Sequence, residues 1–277
     1  MKTDSFTVRA SEARATLQDF LVRRLSLSRN GAKTVIDSRN VLVNGRRVWM
    51  ARHALAAGDR VEVLPAAPDA AADEPCAILY EDGDYLVADK RPGLPSNGPY
   101  SLEERLRRQF GEESLAAAHR LDRDTSGCLL VARNGAAFDA AVRAFRAGRV
   151  SKTYHAIVAR RLAPAERTIT AAIEGKRAVT HVRVLDAGRE ASHLLLTIAT
   201  GRTHQIRRHL ALIHHPVLGD RQYGTGARLP PRSLELPRQM LHAFSLELPQ
   251  PLSGRPIQAV APLPADFRRA LALFRLR

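Results

Sequence analysis

Residues 119–127 read His119-Arg120-Leu121-Asp122-Arg123-Asp124-Thr125-Ser126-Gly127. In this run the carboxylate of Asp122 lies between two arginines, and the closing Thr-Ser-Gly is typical of a tight backbone turn. The apolar residues 128–132 that follow predict a buried strand. We therefore expect Asp122 just ahead of a core strand, where partial burial and nearby cations tune a carboxylate, as they do in many catalytic sites.

Four further runs accompany this one along the chain. They are Lys90-Arg91-Pro92-Gly93-Leu94, Lys152-Thr153-Tyr154, Gly201-Arg202-Thr203-His204-Gln205-Ile206-Arg207, and Pro216-Val217-Leu218-Gly219-Asp220 followed by Tyr223-Gly224. Together with residues 119–127, they resemble, in order, the motifs of the RluA-type pseudouridine synthases, whose signature is H-R-L-D-x-x-T-S-G. Five ordered matches over about 130 residues are hard to obtain by chance.

The resemblance implies an α+β fold with a mixed, largely antiparallel sheet around a central cleft. It also implies an RNA uridine isomerase that needs no cofactor and no metal. Asp122 matches the catalytic aspartate, Arg207 its ion-pair partner, and Tyr154 the aromatic residue that stacks on the target base. Whether the aspartate attacks ribose carbon 1′ or first removes a ribose proton stays open, as does a role for Tyr154 in removing the carbon 5 proton.

RNA contacts are expected around this site, because a uridine inside a helix must be flipped out before it can react. Arg120 resembles the arginine of the family's flipping loop, and His119 is expected to orient that loop. We also expect Lys90, Arg202 and His204 to contact RNA. The alternative of a metal site at His204 and His209 is disfavoured, because helical metal pairs need a spacing of three or four residues and no acidic ligand precedes Asp220.

The composition predicts two domains. Residues 65–75 are rich in Pro and Ala and carry three acids and no base, so we expect a linker between a domain over 1–64 and a catalytic domain over 76–277. In the first domain, helical spacing places five apolar residues on one face of a predicted helix: Ala13, Leu17, Phe20, Leu21 and Leu25. A second helix capped by Ser28 buries Val35 and Ile36, and a hairpin turns at Asn44-Gly45 before a closing strand over 58–63.

This first domain resembles the small S4-like (αL) RNA-binding domain, a small α+β module fused to many pseudouridine synthases. Residues 1–64 hold twelve Lys and Arg against six Asp and Glu. The expected RNA contacts are Arg23, Arg24, Arg29, Lys33, Arg46 and Arg47. A solvated helix face is the alternative reading of these cations.

In the catalytic domain, strands are predicted at 77–80 and 85–88 around a turn at Asp82-Gly83. Helices are predicted from the Ser101 capping box to Phe110 and over 136–147. Four strand candidates follow at 153–159, 167–173, 179–185 and 192–199. Their short connections indicate an antiparallel sheet.

The net charge and the cysteines limit the expected partner and cellular compartment of the protein. A net charge of +15 favours a polyanionic partner, and Cys76 and Cys128 form neither a disulfide framework nor a zinc motif. Without a signal peptide or a membrane span, we expect a soluble cytoplasmic protein with RNA as its partner, no membrane and no obligate protein partner.

Two functions from different classes follow. The first is isomerisation of uridine in structured RNA. The H-R-L-D form and the basic first domain favour large-subunit ribosomal RNA as substrate, with transfer RNA as the alternative. The second is a non-catalytic RNA-binding assembly factor. Intact Asp122, Tyr154 and Arg207 favour catalysis, because binding alone gives no reason to retain a costly buried ion pair.

Overall fold

A computed structural model describes residues 4–37, 41–48, 50–64, 74–224 and 229–277, and it divides the chain into the units Met1–Glu74 and Pro75–Arg277. The predicted linker over 65–75 falls mostly on residues 65–73, which lie outside the described residues.

The first unit is a four-stranded antiparallel sheet with two helices, and its strands lie in the order β1-β4-β2-β3. Its elements are β1 (Asp4–Thr7), a 3-10 turn (Ala10–Glu12), α1 (Leu17–Arg24), α2 (Arg29–Asp37), β2 (Val41–Val43), β3 (Arg46–Arg47) and β4 (Arg60–Val63). The predicted order of two helices, a hairpin and a closing strand is present. Strand β1 was not predicted, because its short polar sequence is mostly exposed and carries no alternating apolar pattern.

Local side-chain chemistry sets the ends of these elements. Helix α1 begins at Leu17 rather than Ala13, because the Thr16 hydroxyl accepts a hydrogen bond from the Asp19 amide at 3.1 Å and caps the helix there. Ser28 accepts from the Gly31 amide at 3.0 Å, as its predicted capping role requires. The hairpin turns at Asn44 and Gly45, both of which have positive φ.

The second unit is built on one mixed sheet with the path β10-β11-β12-β9-β13-β8-β6-β5, to which β14 and β7 add at β13 and β8. The strands are β5 (Ile78–Glu81), β6 (Tyr85–Lys90), β7 (Ala116–Ala117), β8 (Ser126–Ala132), β9 (Ser151–Ala159), β10 (Glu166–Ile169), β11 (Thr180–Ala187), β12 (Ala191–Ile198), β13 (Leu241–Pro249) and β14 (Pro256–Val260). The helices are α3 (Leu102–Phe110), α4 (Gly135–Arg146), α5 (Gln205–Leu212) and α6 (Ala265–Leu273), and a 3-10 turn spans Pro231–Glu235. The expected α+β class and largely antiparallel sheet are confirmed.

Helices cover both faces of this sheet. Leu106 of α3 and Leu210 of α5 pack with Tyr154 and Leu196 on one face. On the other face, α4 packs through its alanines and α6 through Phe267. Successive strand residues point to opposite faces, so Tyr154 of β9 lies on the α5 side and Ile157 on the α6 side.

One pair of strands is parallel, and it fixes the start of β8. Ser126 and Gly127 pair with His242 and Ala243 of β13. Gly127 has φ +108°, and a Cβ on it would lie 2.1 Å from the Ala243 carbonyl oxygen. Only glycine allows both the backbone angle and this close approach. The loop that carries Asp122 therefore enters the sheet at a fixed position.

None of the described helices is both long enough and apolar enough to cross a membrane.

Gly127→Ala should lower the free energy of unfolding by more than about 3 kcal/mol, because the added methyl overlaps Ala243 and the backbone angle is strained. Urea unfolding followed by circular dichroism measures this loss. Gly83→Ala is the matched control, because a Cβ at Gly83 meets nothing within 4 Å, and it should stay within about 0.5 kcal/mol of the parent. Equal losses for the two variants would contradict the close approach.

Candidate active site

Asp122 lies in the loop between β7 and β8, and the backbone of this loop is held on several sides. The Ser96 hydroxyl accepts a hydrogen bond from the Leu121 amide at 2.9 Å and donates to the Leu121 carbonyl at 3.1 Å. The Thr125 amide donates to the Asp122 carbonyl at 3.0 Å, and the Gly93 amide donates to the Arg123 carbonyl at 2.9 Å. The residues before and after Asp122 are thus fixed by the neighbouring loop over 93–96.

Lys90 belongs to this support and not to an RNA surface. Its side chain is fully buried, and its ammonium donates to the carbonyls of Arg91, Leu94 and Arg123 at 3.0, 2.7 and 2.9 Å. Burial lowers the pKa of Lys90 to about 7. The expectation that Lys90 contacts RNA is therefore wrong, because its three donors hold two loops together inside the protein.

A buried arginine between two carboxylates is the centre of the site. Arg207, in the first turn of α5, donates from Nη1 to Asp122 Oδ2 at 2.8 Å. Its Nε and Nη2 donate to the two carboxylate oxygens of Asp220 at 2.7 and 2.9 Å, and Nη2 also donates to Gln222 at 3.2 Å. Burial alone would lower the pKa of Arg207, but the hydrogen bonds and charges of both aspartates outweigh it and raise the pKa. The guanidinium therefore stays charged and keeps Asp122 oriented.

Asp122 has two further polar neighbours, Gln239, which was not assigned a role from the sequence, and His204, for which an RNA contact is expected. Gln239 Nε2 lies 3.5 Å from Asp122 Oδ2 and donates to the Thr125 hydroxyl at 2.9 Å. His204 Nε2 lies 3.8 Å from Asp122 Oδ1, whereas its Nδ1 is 2.9 Å from the Tyr223 hydroxyl. The Tyr223 ring lies 5.0 Å from the Arg207 guanidinium carbon. The Gly-Asp-x-x-Tyr-Gly run could have suggested Asp220 and Tyr223, whereas Gln239 carries no comparable signal.

Tyr154 lies on the same pocket, with its side chain almost entirely buried. Burial, and then the negative charge of Asp122, raise the pKa of Tyr154, so the phenol is protonated at neutral pH. No described residue forms a hydrogen bond with its hydroxyl. This leaves the ring free to stack on a ligand and the hydroxyl free to donate to one.

His119 and Arg120 differ in environment although they are neighbours. His119 Nε2 accepts a hydrogen bond from the Leu130 amide at 3.0 Å, and burial lowers the pKa of His119 to about 3. A neutral, half-buried ring held against β8 fits the expectation that His119 orients this loop, and because His119 also lines the pocket, its contact with RNA stays a prediction. Arg120 is exposed and lines the pocket, where it can reach RNA.

The other predicted RNA contacts are mostly on the surface. Arg202 is exposed and donates from Nε to the Arg177 carbonyl at 3.2 Å. In the first unit, Arg23, Lys33 and Arg46 are exposed. Arg24 pairs with Glu12 at 2.7 Å and Arg29 with Asp19 at 2.6 Å, whereas the side chain of Arg47 lies outside the described residues.

The pocket has a volume of about 550 Å³ and is lined by residues from three of the five sequence runs and from α4. A second cavity of about 490 Å³ lies over β10–β12 and includes neither Asp122 nor Tyr154. Among the described residues, no group of three or more His, Cys, Asp or Glu side chains is placed to hold a metal ion. An ion-paired carboxylate beside an aromatic ring can bind a planar base and stabilise positive charge that develops on its sugar.

Comparison with known proteins gives consistent matches. Residues 84–212 match a family model described as RNA pseudouridylate synthase. An uncharacterized RNA pseudouridine synthase of Mycobacterium bovis is 35% identical over 287 aligned positions, which cover 92% of each chain. Ribosomal large subunit pseudouridine synthase D of Pasteurella multocida is 34% identical and covers 87% of this chain and 85% of its own. The solved structure of human RNA Pseudouridylate Synthase Domain Containing 1 is 30% identical, with a TM-score of 0.60 over 74% of this chain and 96% of its own.

Asp220→Asn should lower the free energy of unfolding by about 3 kcal/mol, because it leaves the buried Arg207 with one carboxylate instead of two. Urea unfolding measures the loss. Glu174→Gln is the control, because Glu174 forms a surface ion pair of 2.8 Å with the adjacent Arg208. This variant should change the free energy of unfolding by less than about 0.5 kcal/mol. If the two variants behaved alike, the central place of Arg207 would be refuted.

Proposed function

This chain belongs to the RNA pseudouridine synthase family, and we propose that its Asp122 pocket isomerises uridine to pseudouridine in large-subunit ribosomal RNA. The observation that carries this proposal is the Asp122–Arg207–Asp220 network beside Tyr154. The names of several relatives support the choice of RNA, since they are ribosomal large subunit pseudouridine synthases.

The reaction moves atoms within one nucleotide. The bond between uracil N1 and ribose carbon 1′ breaks, the uracil turns, and carbon 5 bonds to carbon 1′. Carbon 5 then loses its proton and N1 gains one, so no other reactant is consumed. Asp122 is placed to attack carbon 1′, or to remove a ribose proton in the glycal route. Both routes use the Asp122 carboxylate, which the Arg207 guanidinium holds in position at 2.8 Å.

Arg120 and Tyr154 have separate roles when the substrate uridine enters the pocket. The target uridine is flipped out of its helix, with Arg120 placed to occupy the space it leaves. Tyr154 then stacks on the uracil. We further propose that the first unit is an αL-type RNA-binding domain, since Arg23, Lys33 and Arg46 present exposed cations that can neutralise phosphates.

The conversion itself is tested with purified protein and unmodified ribosomal and transfer RNA. Pseudouridine is mapped by chemical derivatisation and reverse-transcription stops. We expect new stops in large-subunit ribosomal RNA with the parent protein and none with Asp122→Asn, which keeps the side-chain shape but loses the charge. Stops only in transfer RNA would correct the substrate, and an absence of stops despite tight binding would favour the assembly-factor alternative.

Tyr154→Phe should lower kcat by at least about tenfold while the Kd for RNA changes less than about threefold, because the ring is kept and a pocket-facing hydroxyl is lost. Tyr154→Leu should weaken RNA binding as well, since stacking is removed. Single-turnover conversion and filter binding separate the two effects. An unchanged kcat for Tyr154→Phe would leave stacking as the whole role of this residue.

A further inference from the structure

Lys152 lines the Asp122 pocket, and nothing assigned above uses it. It lies two residues before Tyr154 in β9, so both side chains point to the same face of the sheet. The side chain is half-buried, unlike those of Arg120 and Arg146, which line the same pocket but are exposed. Lys152 is therefore a cation inside the pocket wall.

The ammonium of Lys152 differs from the other buried cations of this region. No described residue forms a hydrogen bond or an ion pair with it. By contrast, Lys90 donates to three carbonyls and Arg207 to two carboxylates in the same region. Burial lowers the pKa of Lys152, and no neighbouring carboxylate is among the causes of that shift. A half-buried ammonium that is not paired within the protein is the arrangement expected where an anionic ligand supplies the partner.

The position of the ammonium is nevertheless fixed. It lies 5.2 Å from the centre of the Phe145 ring, an attraction that uses none of its three N–H donors. Phe145 packs in turn on His119, with ring centres 4.8 Å apart, and His119 is anchored to the Leu130 amide. Across the pocket, a Cβ at Gly201 would lie 3.9 Å from Lys152 Nζ. The donors are thus held between β9 and the loop over 201–204.

We propose that Lys152 binds a phosphodiester oxygen of the flipped uridine's own nucleotide. Asp122 makes its ion pair with Arg207, and none of the described carboxylates makes one with Lys152. In RNA the anionic group is the phosphate, whereas the uracil oxygens are neutral. The inference rests on the proposed function, because it requires an RNA uridine to enter this pocket.

The test is a double-mutant cycle in which one change is made in the protein and the other in the RNA. All proteins carry Asp122→Asn, so that binding is measured without turnover. The RNA is a synthetic hairpin that contains the mapped uridine, with a neutral methylphosphonate in place of its 5′ or its 3′ phosphate. Lys152→Met removes the charge, Lys152→Arg keeps it, and Arg149→Met is the control for loss of an exposed cation outside the pocket.

Lys152→Met and one of the two methylphosphonates should each weaken binding by about tenfold, and the two together should weaken it no more than either alone. Lys152→Arg should retain the response to the methylphosphonate. The loss caused by Arg149→Met should multiply with that of either methylphosphonate. The loss of affinity caused by Lys152→Met could instead multiply with the loss caused by the 5′ methylphosphonate and with that caused by the 3′ methylphosphonate. Lys152 would then contact another group, such as a uracil oxygen, and the proposal would be overturned.

A second probe separates this result from conversion. Uridine 3′,5′-bisphosphate should bind the parent protein more tightly than uridine does, and Lys152→Met should reduce that advantage about tenfold without changing the affinity for uridine. If Lys152→Met bound uridine 3′,5′-bisphosphate over uridine with the same preference as the parent, the proposal of a phosphate site at Lys152 would be overturned. Failure of the proposed function would appear elsewhere, as an absence of pseudouridine with the Lys152-intact protein. Circular dichroism and thermal melting confirm that each variant is folded.

Discussion

The buried guanidinium of Arg207 is the constraint on which the site depends. A charge taken out of water costs several kcal/mol unless it is paired and hydrogen-bonded, and here the pairing needs both Asp122 and Asp220. Asp220 lies 13 residues from Arg207, whereas Asp122 lies 85 residues away, so the pair with Asp122 forms only when distant segments of the chain come together. The same arrangement that stabilises Arg207 therefore orients the Asp122 carboxylate.

The sheet makes this arrangement rigid. Gly127 lets β8 approach β13 closely, while Lys90 and Ser96 fix the backbone on either side of Asp122. The Lys90 ammonium donates to three backbone carbonyls, and the Ser96 hydroxyl bonds both the amide and the carbonyl of Leu121. Because the protein site is rigid, the conformational change in the proposed reaction occurs in the RNA. Its uridine leaves the helix and binds between an aromatic ring and a fixed carboxylate.

Local sequence signals predicted much of this structure. Asp122 lies ahead of the strand that residues 128–132 indicated, and the turns at Asn44-Gly45 and Asp82-Gly83 depend on residues next to one another. Long-range features were harder. The parallel pairing of β8 with β13 joins residues more than a hundred positions apart, and the burial of Lys90 depends on loops that close over it. Lysine side chains are rarely fully buried, so nothing local at Lys90 indicated its internal role.

The central claim is that the ion-paired Asp122 carries out the isomerisation. Its most direct test is release of tritium from large-subunit ribosomal RNA labelled at carbon 5 of uracil, because this proton is lost only when carbon 5 replaces N1 on the ribose. We expect release by the parent protein and none above background by Asp122→Asn, with equal RNA affinity for the two proteins. Release by Asp122→Asn at a rate similar to that of the parent would contradict it.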